Sequence, residues 1–161
     1  MDGKLKRIVS SLQSDDRGVI VSCPSCGPRN RLAFDRLGRA TRCAKCHTDI
    51  ALPAAPQEVD SSTQFDTLVA RSALPILVDF WAPWCGPCRV VSPQVEQVAQ
   101  RNSGRLLVVK VNTDLVPDLA TRLGIQGIPT LAVFAKGREA GRTSGAMPAD
   151  RIDAFVRDTL G

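Results

Sequence analysis

The sequence has no tyrosine, only one histidine, and no apolar run of the length that a membrane-spanning helix needs. Such a helix requires about 20 consecutive, mostly apolar residues. The N-terminal residues also lack the apolar segment and the small-residue cleavage site of an export signal. We therefore expect a cytoplasmic protein that makes no contact with membranes.

The six cysteines all fall into three Cys-x-x-Cys pairs. Without an export signal, such pairs indicate metal binding or redox chemistry rather than a disulfide framework. Two pairs precede the proline-bounded segment 53–56, which interrupts regular secondary structure, and one follows it. We predict a flexible N-terminal tail over residues 1–18, a four-cysteine module over 19–52, a linker over 53–56 and a second domain over 57–161.

Beyond the linker, short apolar runs alternate with segments of helical periodicity. This alternation predicts an α/β fold whose sheet is parallel at its centre and is completed by a hairpin. Strands are predicted at 76–82, 106–111, 130–134 and 138–144, and helices at 90–100, 117–123 and 148–160.

The third cysteine pair, in Trp84-Cys85-Gly86-Pro87-Cys88, lies where the first of these strands is followed by the long helix. Free backbone N–H groups and the positive end of the dipole at a helix N-terminus favour a thiolate. We therefore predict that Cys85 is the nucleophile that attacks a disulfide of a partner protein. Pro87 presets the helical φ, and Cys88, one turn later, is predicted to break the resulting mixed disulfide.

Asp79 lies in the middle of the apolar run that precedes this pair. Burial of a carboxyl group raises its pKa, which makes Asp79 a candidate base for deprotonating Cys88. Lys110 occupies a second apolar run, where it could pair with Asp79. The alternative is that either side chain lies at a strand end in solvent.

Four segments in this order, Asp79–Cys88, Lys110–Asn112, Gly127–Thr130 and Gly145-Ala146, resemble the thioredoxin family over roughly residues 57–161. The resemblance implies a thioredoxin fold, with a central mixed five-stranded sheet flanked by helices. It also implies that the protein reduces disulfides of oxidised client proteins, needs no organic cofactor and is re-reduced by an NADPH-dependent flavoprotein, thioredoxin reductase.

The same resemblance implies particular roles around the redox pair. Gly86 and Pro87 between the cysteines accompany a strongly reducing couple, and the Ile128–Pro129 peptide bond is expected to be cis and to lie against the cysteines. The expected client-binding surface consists of Trp84, Ile128, Gly145 and Ala146. An oxidase or isomerase built on the same fold remains an alternative, although it would favour other residues between the cysteines.

The other two pairs, Cys23-Pro-Ser-Cys26 and Cys43-Ala-Lys-Cys46, are separated by sixteen residues. This spacing is typical of a zinc site formed by two knuckles, and four thiolates suit the tetrahedral preference of zinc. The module is too short and too polar to fold on a core of its own, so the metal must supply much of its stability. We predict a small zinc-ribbon-like domain with one structural zinc ion held by Cys23, Cys26, Cys43 and Cys46.

Several alternatives concern this module. Cys43 to His47 also spells the c-type haem attachment motif, His47 could replace a cysteine ligand, and an all-sulfur site also admits iron. The matching upstream pair and the lack of an export signal disfavour haem, so a solvated His47 is the default interpretation. Residues 1–60 hold ten basic and seven acidic side chains, and Phe34 is the sole aromatic of the module. We therefore do not expect nucleic-acid binding.

With the module included, the whole arrangement resembles thioredoxins that carry an N-terminal zinc-binding extension. The module could dock the second domain on chosen clients, or it could act as a sensor whose zinc thiolates are oxidised under stress. We expect the chain to be a monomer.

Overall fold

Ten strands and four α-helices follow one another along residues 13–161, the part of the chain that this computed structural model describes. The strands are β1 (Gln13–Ser14), β2 (Gly18–Ser22), β3 (Arg29–Ala33), β4 (Thr41–Arg42), β5 (Asp49–Ile50), β6 (Gln57–Glu58), β7 (Ile76–Trp81), β8 (Leu107–Asn112), β9 (Thr130–Ala135) and β10 (Arg138–Ser144). The α-helices are α1 (Ser62–Arg71), α2 (Gly86–Arg101), α3 (Pro117–Arg122) and α4 (Ala149–Leu160), and a single 3-10 turn covers Phe34–Arg36.

The five strands after the module form one mixed sheet in the order β10-β9-β7-β8-β6. Strands β6, β7 and β8 run parallel, whereas β9 is antiparallel to both β7 and β10. The prediction of a mixed five-stranded sheet, parallel at its centre and completed by a hairpin, is confirmed.

Helices cover both faces of this sheet. On one face, α2 and α4 bury Val91, Val95 and Ile152 against the strands. On the other face, α1 and α3 bury apolar residues that include Phe65, whose ring meets that of Phe134 edge to face at 5.4 Å. Alternate strand residues therefore contribute to two separate cores, as the period of a strand requires.

All seven elements predicted after the linker are present, and their ends differ from the prediction by at most four residues. The two-residue strand β6 and the helix α1 were not predicted from the sequence. A signal for α1 was available, because the Ser61 hydroxyl accepts a hydrogen bond from the Gln64 N–H as an N-cap. Phe65, Leu68 and Val69 follow at helical spacing.

The module consists of a three-stranded antiparallel sheet, β1-β2-β3, and the antiparallel pair β4-β5. Its apolar side chains, among them Val19, Phe34 and Leu37, belong to the same buried cluster as the residues of α1. The Ala73 N–H donates to the Phe34 carbonyl at 2.9 Å, and the Ser103 hydroxyl donates to the Leu52 carbonyl at 3.3 Å. The module is therefore packed on the second domain and is not a freely tethered unit.

These contacts place part of the module at one particular end of the large sheet. Ala73 and Ser103 precede β7 and β8, so they lie at the amino ends of those strands. Cys85 follows the carboxyl end of β7, and six residues of strand span about 20 Å. The contacts made by Phe34 and Leu52 therefore lie at the end of the sheet opposite the redox pair.

The predicted tail, residues 1–18, is only partly covered by the structure, since residues 1–12 lie outside its described part. Residues Gln13 and Ser14 pair with β2, and the Gln64 side chain donates to the Ser14 carbonyl at 3.1 Å. The Asp15 carboxylate accepts the N–H groups of Arg17 and Gly18 and closes the turn that follows. We therefore assign residues 13–18 to the module, and we keep residues 53–56 as the proposed boundary to the second domain.

Within residues 13–161, none of the helices combines the length and the apolar character needed to span a bilayer.

Candidate redox and metal sites

Cys85 is the N-cap of α2, so the helix begins four residues earlier than its apolar periodicity predicted. The Cys88 N–H donates to the Cys85 sulfur at 3.2 Å. Pro87 occupies the first turn, where the missing N–H costs no helical hydrogen bond. A sulfur that accepts this N–H at a helix N-terminus is stabilised as a thiolate once the pair is reduced.

Cys85 and Cys88 are joined by a disulfide, with their Cα atoms 5.3 Å apart. Both residues are buried, with exposed fractions of 4% and 3%. The two-residue spacing therefore brings both sulfurs within bonding reach across the first turn of α2. The structure corresponds to the oxidised state of the pair.

The Ile128–Pro129 peptide bond is cis, which confirms the expectation from the resemblance. The Cys85 sulfur lies 3.7 Å from the Ile128 carbonyl oxygen. The Pro129 carbonyl in turn accepts the Gly145 N–H at 3.0 Å. The Cys85 sulfur thus contacts the cis-Pro129 loop, which is hydrogen-bonded to Gly145.

A largely accessible surface surrounds the redox pair. Trp84 is 70% exposed, and its indole N–H donates to the Asp114 carboxylate at 3.2 Å. Gly145 and Ala146 are exposed and Ile128 is half-buried. Asp114 and its neighbour Leu115, which is 65% exposed, also belong to this surface and were not predicted from the sequence. An exposed leucine in a loop carries no sequence signal that distinguishes it from a core leucine.

Asp79 is fully buried in β7, and neither of its carboxylate oxygens has a hydrogen-bond partner among the described residues. Burial raises the pKa of Asp79 to about 7, although the nearby charge of Lys110 favours the ionised form. The Glu58 carboxylate acts in the opposite direction and raises this pKa further. Asp79 is therefore a group that can gain or lose a proton near neutral pH.

Lys110 lies directly opposite Asp79 in the register of β7 and β8. Its ammonium donates to the Ser92 hydroxyl of α2 at 2.8 Å and sits 4.9 Å from the centre of the Trp81 ring. Among residues 13–161, it forms no ion pair with Asp79, so the direct pairing considered from the sequence is wrong. Both residues lie within strands, Asp79 is buried and Lys110 is half-buried, so the alternative that either side chain lies at a strand end in solvent is wrong.

The four remaining cysteines form one cluster, in which all the sulfur atoms lie within 4.8 Å of one another. The sulfurs of Cys23 and Cys46, and those of Cys26 and Cys43, are 3.6 Å apart. A regular tetrahedron with zinc–sulfur bonds of about 2.3 Å has sulfur–sulfur distances of about 3.8 Å. The cluster therefore fits a single zinc ion held by four thiolates.

Two knuckles of similar geometry build this cluster. In the first, the Gly27 N–H donates to the Cys23 carbonyl at 3.1 Å; in the second, the His47 N–H donates to the Cys43 carbonyl at 3.0 Å. Gly27 has φ +93° and His47 has φ +62°, so both knuckles turn through the left-handed region. His47 is exposed and lies outside the sulfur cluster, as its default interpretation predicted.

Backbone N–H groups donate to two of the cysteine sulfurs, those of Cys23 and Cys43. The backbone N–H groups of Cys46 and Lys45 lower the pKa of the Cys43 thiol to about 6. The Ser25 N–H makes the matching contact with the Cys23 sulfur, at 3.4 Å. A metal ligand has to be a thiolate, so the N–H groups of Cys46 and Lys45 favour at Cys43 the ionisation state that zinc needs. At Cys26, burial and the hydrogen bonds of the neighbouring cysteine sulfurs raise the pKa instead.

A thioredoxin family profile matches residues 56–158, the part of the chain that carries the mixed sheet and the redox pair. The chain belongs to the thioredoxin family. Thioredoxins are thiol–disulfide oxidoreductases that act on disulfides of oxidised proteins, and the chain is an enzyme of this class.

Two curated thioredoxins illustrate how far the similarity extends. Thioredoxin 1 of Nostoc sp. is 50% identical over 109 residues, which cover 68% of this chain and 100% of that protein. Thioredoxin C-3 of Corynebacterium nephridii is 36% identical over 142 residues, which cover 88% of this chain and 96% of that protein. The segment 57–161 is too short to hold 142 residues, so the second match extends into the module.

Among solved structures, a mutant thioredoxin from Halobacterium salinarum matches with a TM-score of 0.62 at 30% identity. The match covers 70% of this chain and 96% of that chain. The thioredoxin fold is thus supported by sequence and by structure alike.

Proposed function

We propose that this thioredoxin is a cytoplasmic protein-disulfide reductase of the bacterial thioredoxin 2 type, with one structural zinc ion in its N-terminal module. The observation that carries the proposal is the position of Cys85 at the N-terminus of α2, bonded to Cys88 and bordered by the cis-Pro129 loop. The redox cycle uses Cys85 as nucleophile, Cys88 as resolving thiol and Asp79 as the group that accepts a proton.

In the first step, the Cys85 thiolate attacks one sulfur of a client disulfide. The client S–S bond breaks, a bond between Cys85 and the client forms, and the second client sulfur leaves as a thiolate that takes up a proton. The Cys88 N–H and the positive end of the α2 dipole support the thiolate before the attack. The client lies against exposed Trp84, Gly145 and Ala146 and the half-buried Ile128.

In the second step, the Cys88 thiol gives its proton to the Asp79 carboxylate and attacks the sulfur of Cys85. The bond between Cys85 and the client breaks, and the client sulfur leaves as a thiolate that takes up the proton held by Asp79. Two electrons have then moved to the client, and Cys85 and Cys88 share the disulfide described above. A pKa near 7 suits this role, because a general base works best when its pKa is close to the working pH.

The oxidised pair needs a source of two electrons and two protons to return to the dithiol. We propose that an NADPH-dependent flavoprotein, thioredoxin reductase, supplies them through the same exposed surface around Trp84. In this cycle, the charge of Lys110 favours the ionised form of Asp79, and the hydrogen bond from Lys110 to Ser92 links β8 to α2.

The reduction potential of the pair tests the proposal against an oxidase or isomerase. Thioredoxins as a class have potentials of about −270 mV, whereas the most oxidising disulfide donors are at about −120 mV. We expect equilibration with glutathione to give a value close to the first figure, because Gly86 and Pro87 separate the cysteines as in reducing family members. A potential above about −180 mV, the range of protein disulfide isomerase, would contradict the proposal.

Substitution of Asp79 by asparagine tests the proton step. We expect the resolving step to slow by about 10- to 100-fold at neutral pH, because the Cys88 thiol loses its proton acceptor. Rapid-quench measurement of mixed-disulfide decay across pH provides the readout. The control Asp158→Asn removes an exposed carboxylate of α4 and should leave the decay of the mixed disulfide unaltered.

The same substitution should stabilise the fold. Burial holds the pKa of Asp79 at about 7, against 3.8 for an ordinary aspartate, so the unfolded chain releases this proton at lower pH than the folded chain. The parent protein therefore loses stability as pH rises from about 4 to about 7. At pH 8, we expect the free energy of unfolding of Asp79→Asn to exceed that of the parent by about 2 to 4 kcal/mol. At pH 4, we expect little difference between the two proteins. An equal difference in unfolding free energy between variant and parent at both pH values would exclude a charged, buried Asp79.

For the module, we propose one zinc ion bound by Cys23, Cys26, Cys43 and Cys46. The shared buried cluster and the module contacts at the amino ends of β7 and β8 support a stabilising role. Modulation of partner choice or of the redox response is a second candidate role. The exposure of Cys26 and Cys46 supports it, because oxidants reach accessible thiolates first.

A further inference from the structure

Glu58 lies in one row with Lys110 and Asp79. It is opposite Lys110 in the parallel register of β6 and β8, and Lys110 is opposite Asp79 in the register of β8 and β7. Residues that face each other in parallel strands point to the same side of the sheet. The three side chains Glu58, Lys110 and Asp79 therefore form a continuous charge row on the face covered by α2.

Lys110 is the centre of this charge row, because its strand β8 lies between the strands of Glu58 and Asp79. Its ammonium donates to Ser92 rather than to either carboxylate. The ammonium of Lys110 therefore forms no ion pair with Asp79 among residues 13–161. It favours the ionised form of both acids, whereas the Glu58 carboxylate disfavours the ionisation of Asp79.

The two ends of the charge row differ in their access to water. Asp79 is fully buried, whereas Glu58 belongs to the edge strand β6 and is exposed. Partial burial raises the pKa of the Glu58 carboxyl, whereas the charge of Lys110 and the nearby Trp81 indole favour its charged form. Glu58 is thus the solvent-side end of the charge row, and Asp79 is its buried end.

The other charged groups near the row are few. Asp60, which follows Glu58 after one residue, adds to the negative potential at this edge. On α2, Ser92 contacts the row through Lys110, and the buried Cys88 lies one turn earlier on the same helix face, while the charged residues Arg89 and Glu96 are exposed. The residue opposite Asp79 on its remaining neighbour β9 is the apolar Leu131.

We propose that Glu58 is a positioning residue for disulfide exchange: its negative charge, in the same row, partly offsets the positive charge of Lys110 at Asp79 and thereby keeps the Asp79 carboxyl able to hold a proton near neutral pH. The inference rests on the proposed role of Asp79 as proton acceptor. Without Glu58, no carboxylate in the row would oppose the effect of Lys110 on Asp79. Asp79 would then stay ionised to lower pH and would be a weaker acceptor for the Cys88 proton.

The test is the titration of Asp79 in the reduced full-length protein, followed by NMR of its 13C-labelled carboxyl carbon. Two charges separated by two strand spacings, about 10 Å, influence each other's pKa by about 0.3 to 1 unit. We expect Glu58→Gln to lower the titration midpoint of Asp79 by this amount and to shift the pH profile of mixed-disulfide resolution equally. Lys110→Met should shift both in the opposite direction.

Two matched variants separate this effect from a structural one. Glu58→Asp keeps the charge and should restore most of the parent midpoint. Asp158→Asn removes one negative charge from α4, which packs near β9 and β10 at the other edge of the sheet, and should change nothing.

An Asp79 midpoint that is the same in Glu58→Gln and in the parent would overturn the inference. A changed midpoint with an unchanged resolution profile would also overturn it, because Glu58 would then have no influence on the exchange. Failure of the proposed function would look different: the parent protein itself would not reduce insulin at any pH.

Discussion

Cys85→Ser is expected to abolish the reduction of insulin disulfides, with a loss of more than about a thousandfold. A serine hydroxyl at the N-terminus of α2 remains protonated at neutral pH and cannot replace the thiolate. The measurement is the turbidity of precipitating insulin B chain in the presence of dithiothreitol, with the rate corrected for dithiothreitol alone. A Cys85→Ser protein with parent activity would remove Cys85 from the mechanism.

Cys88→Ser is the matched variant for this experiment, because it removes the other sulfur of the same disulfide. The first attack by Cys85 remains possible, but the mixed disulfide cannot be resolved from within the chain. We expect a covalent complex with client proteins that is visible on a non-reducing gel and disappears with excess dithiothreitol. Zinc content should equal that of the parent in both variants, since neither cysteine belongs to the four-cysteine cluster. Mass spectrometry of the trapped proteins would identify the clients.

Removal of zinc is the second change with a large expected effect. In isolated zinc fingers, a structural zinc contributes about 10 kcal/mol or more of apparent free energy. We expect a smaller loss here, of several kcal/mol, because Val19, Phe34 and Leu37 also pack on the thioredoxin domain. A zinc-specific chelator and the variant Cys43→Ser should both lower the temperature of thermal unfolding measured by circular dichroism.

Three readouts make the zinc experiment decisive. Colorimetric zinc analysis should find one zinc ion per chain in the parent and in Cys85→Ser, and none in Cys43→Ser. Insulin reduction should persist at reduced stability, because the module contacts at Ala73 and Ser103 lie at the end of the sheet away from Cys85. Parent-like unfolding of a zinc-free Cys43→Ser protein would exclude a structural ion.

The same zinc assay distinguishes the two candidate roles of the module. If Cys26 and Cys46 act as a sensor, peroxide should release zinc as their thiolates are oxidised to disulfides. Retention of zinc after Cys85 and Cys88 are fully oxidised would argue against the sensor role and in favour of a purely stabilising one.

Local sequence patterns predicted much of this molecule. The two Cys-x-x-Cys knuckles and their spacing predicted the cluster of four sulfurs, and the apolar runs predicted the central strands within a few residues. The position of Asp79 inside such a run predicted its burial and its raised pKa. These predictions succeed because each depends on residues that are close in the chain, where helix and strand periodicity or a tight turn governs the geometry.

Other features of the site escaped the sequence analysis. Strand β6 is only two residues long, so it has no periodicity to detect, and Glu58 was consequently not recognised as a neighbour of Lys110. The preference of Lys110 for Ser92 over Asp79 depends on how α2 packs on the sheet. The hydrogen bond between Trp84 and Asp114 joins two loops that are thirty residues apart.

The sequence by itself determined the chemical groups of this protein: a cysteine pair separated by one helical turn, a carboxyl group buried in a strand and four thiols in two tight turns. Only the tertiary structure decided which distant groups meet. The order of strands in the sheet brings Ile128 and Pro129 to Cys85 and aligns Glu58 with Lys110 and Asp79. The packing of Phe34 against α1 likewise makes the module part of the thioredoxin core. The physical reason is that long-range contacts follow from strand pairing and side-chain packing across the whole chain, which no local pattern specifies.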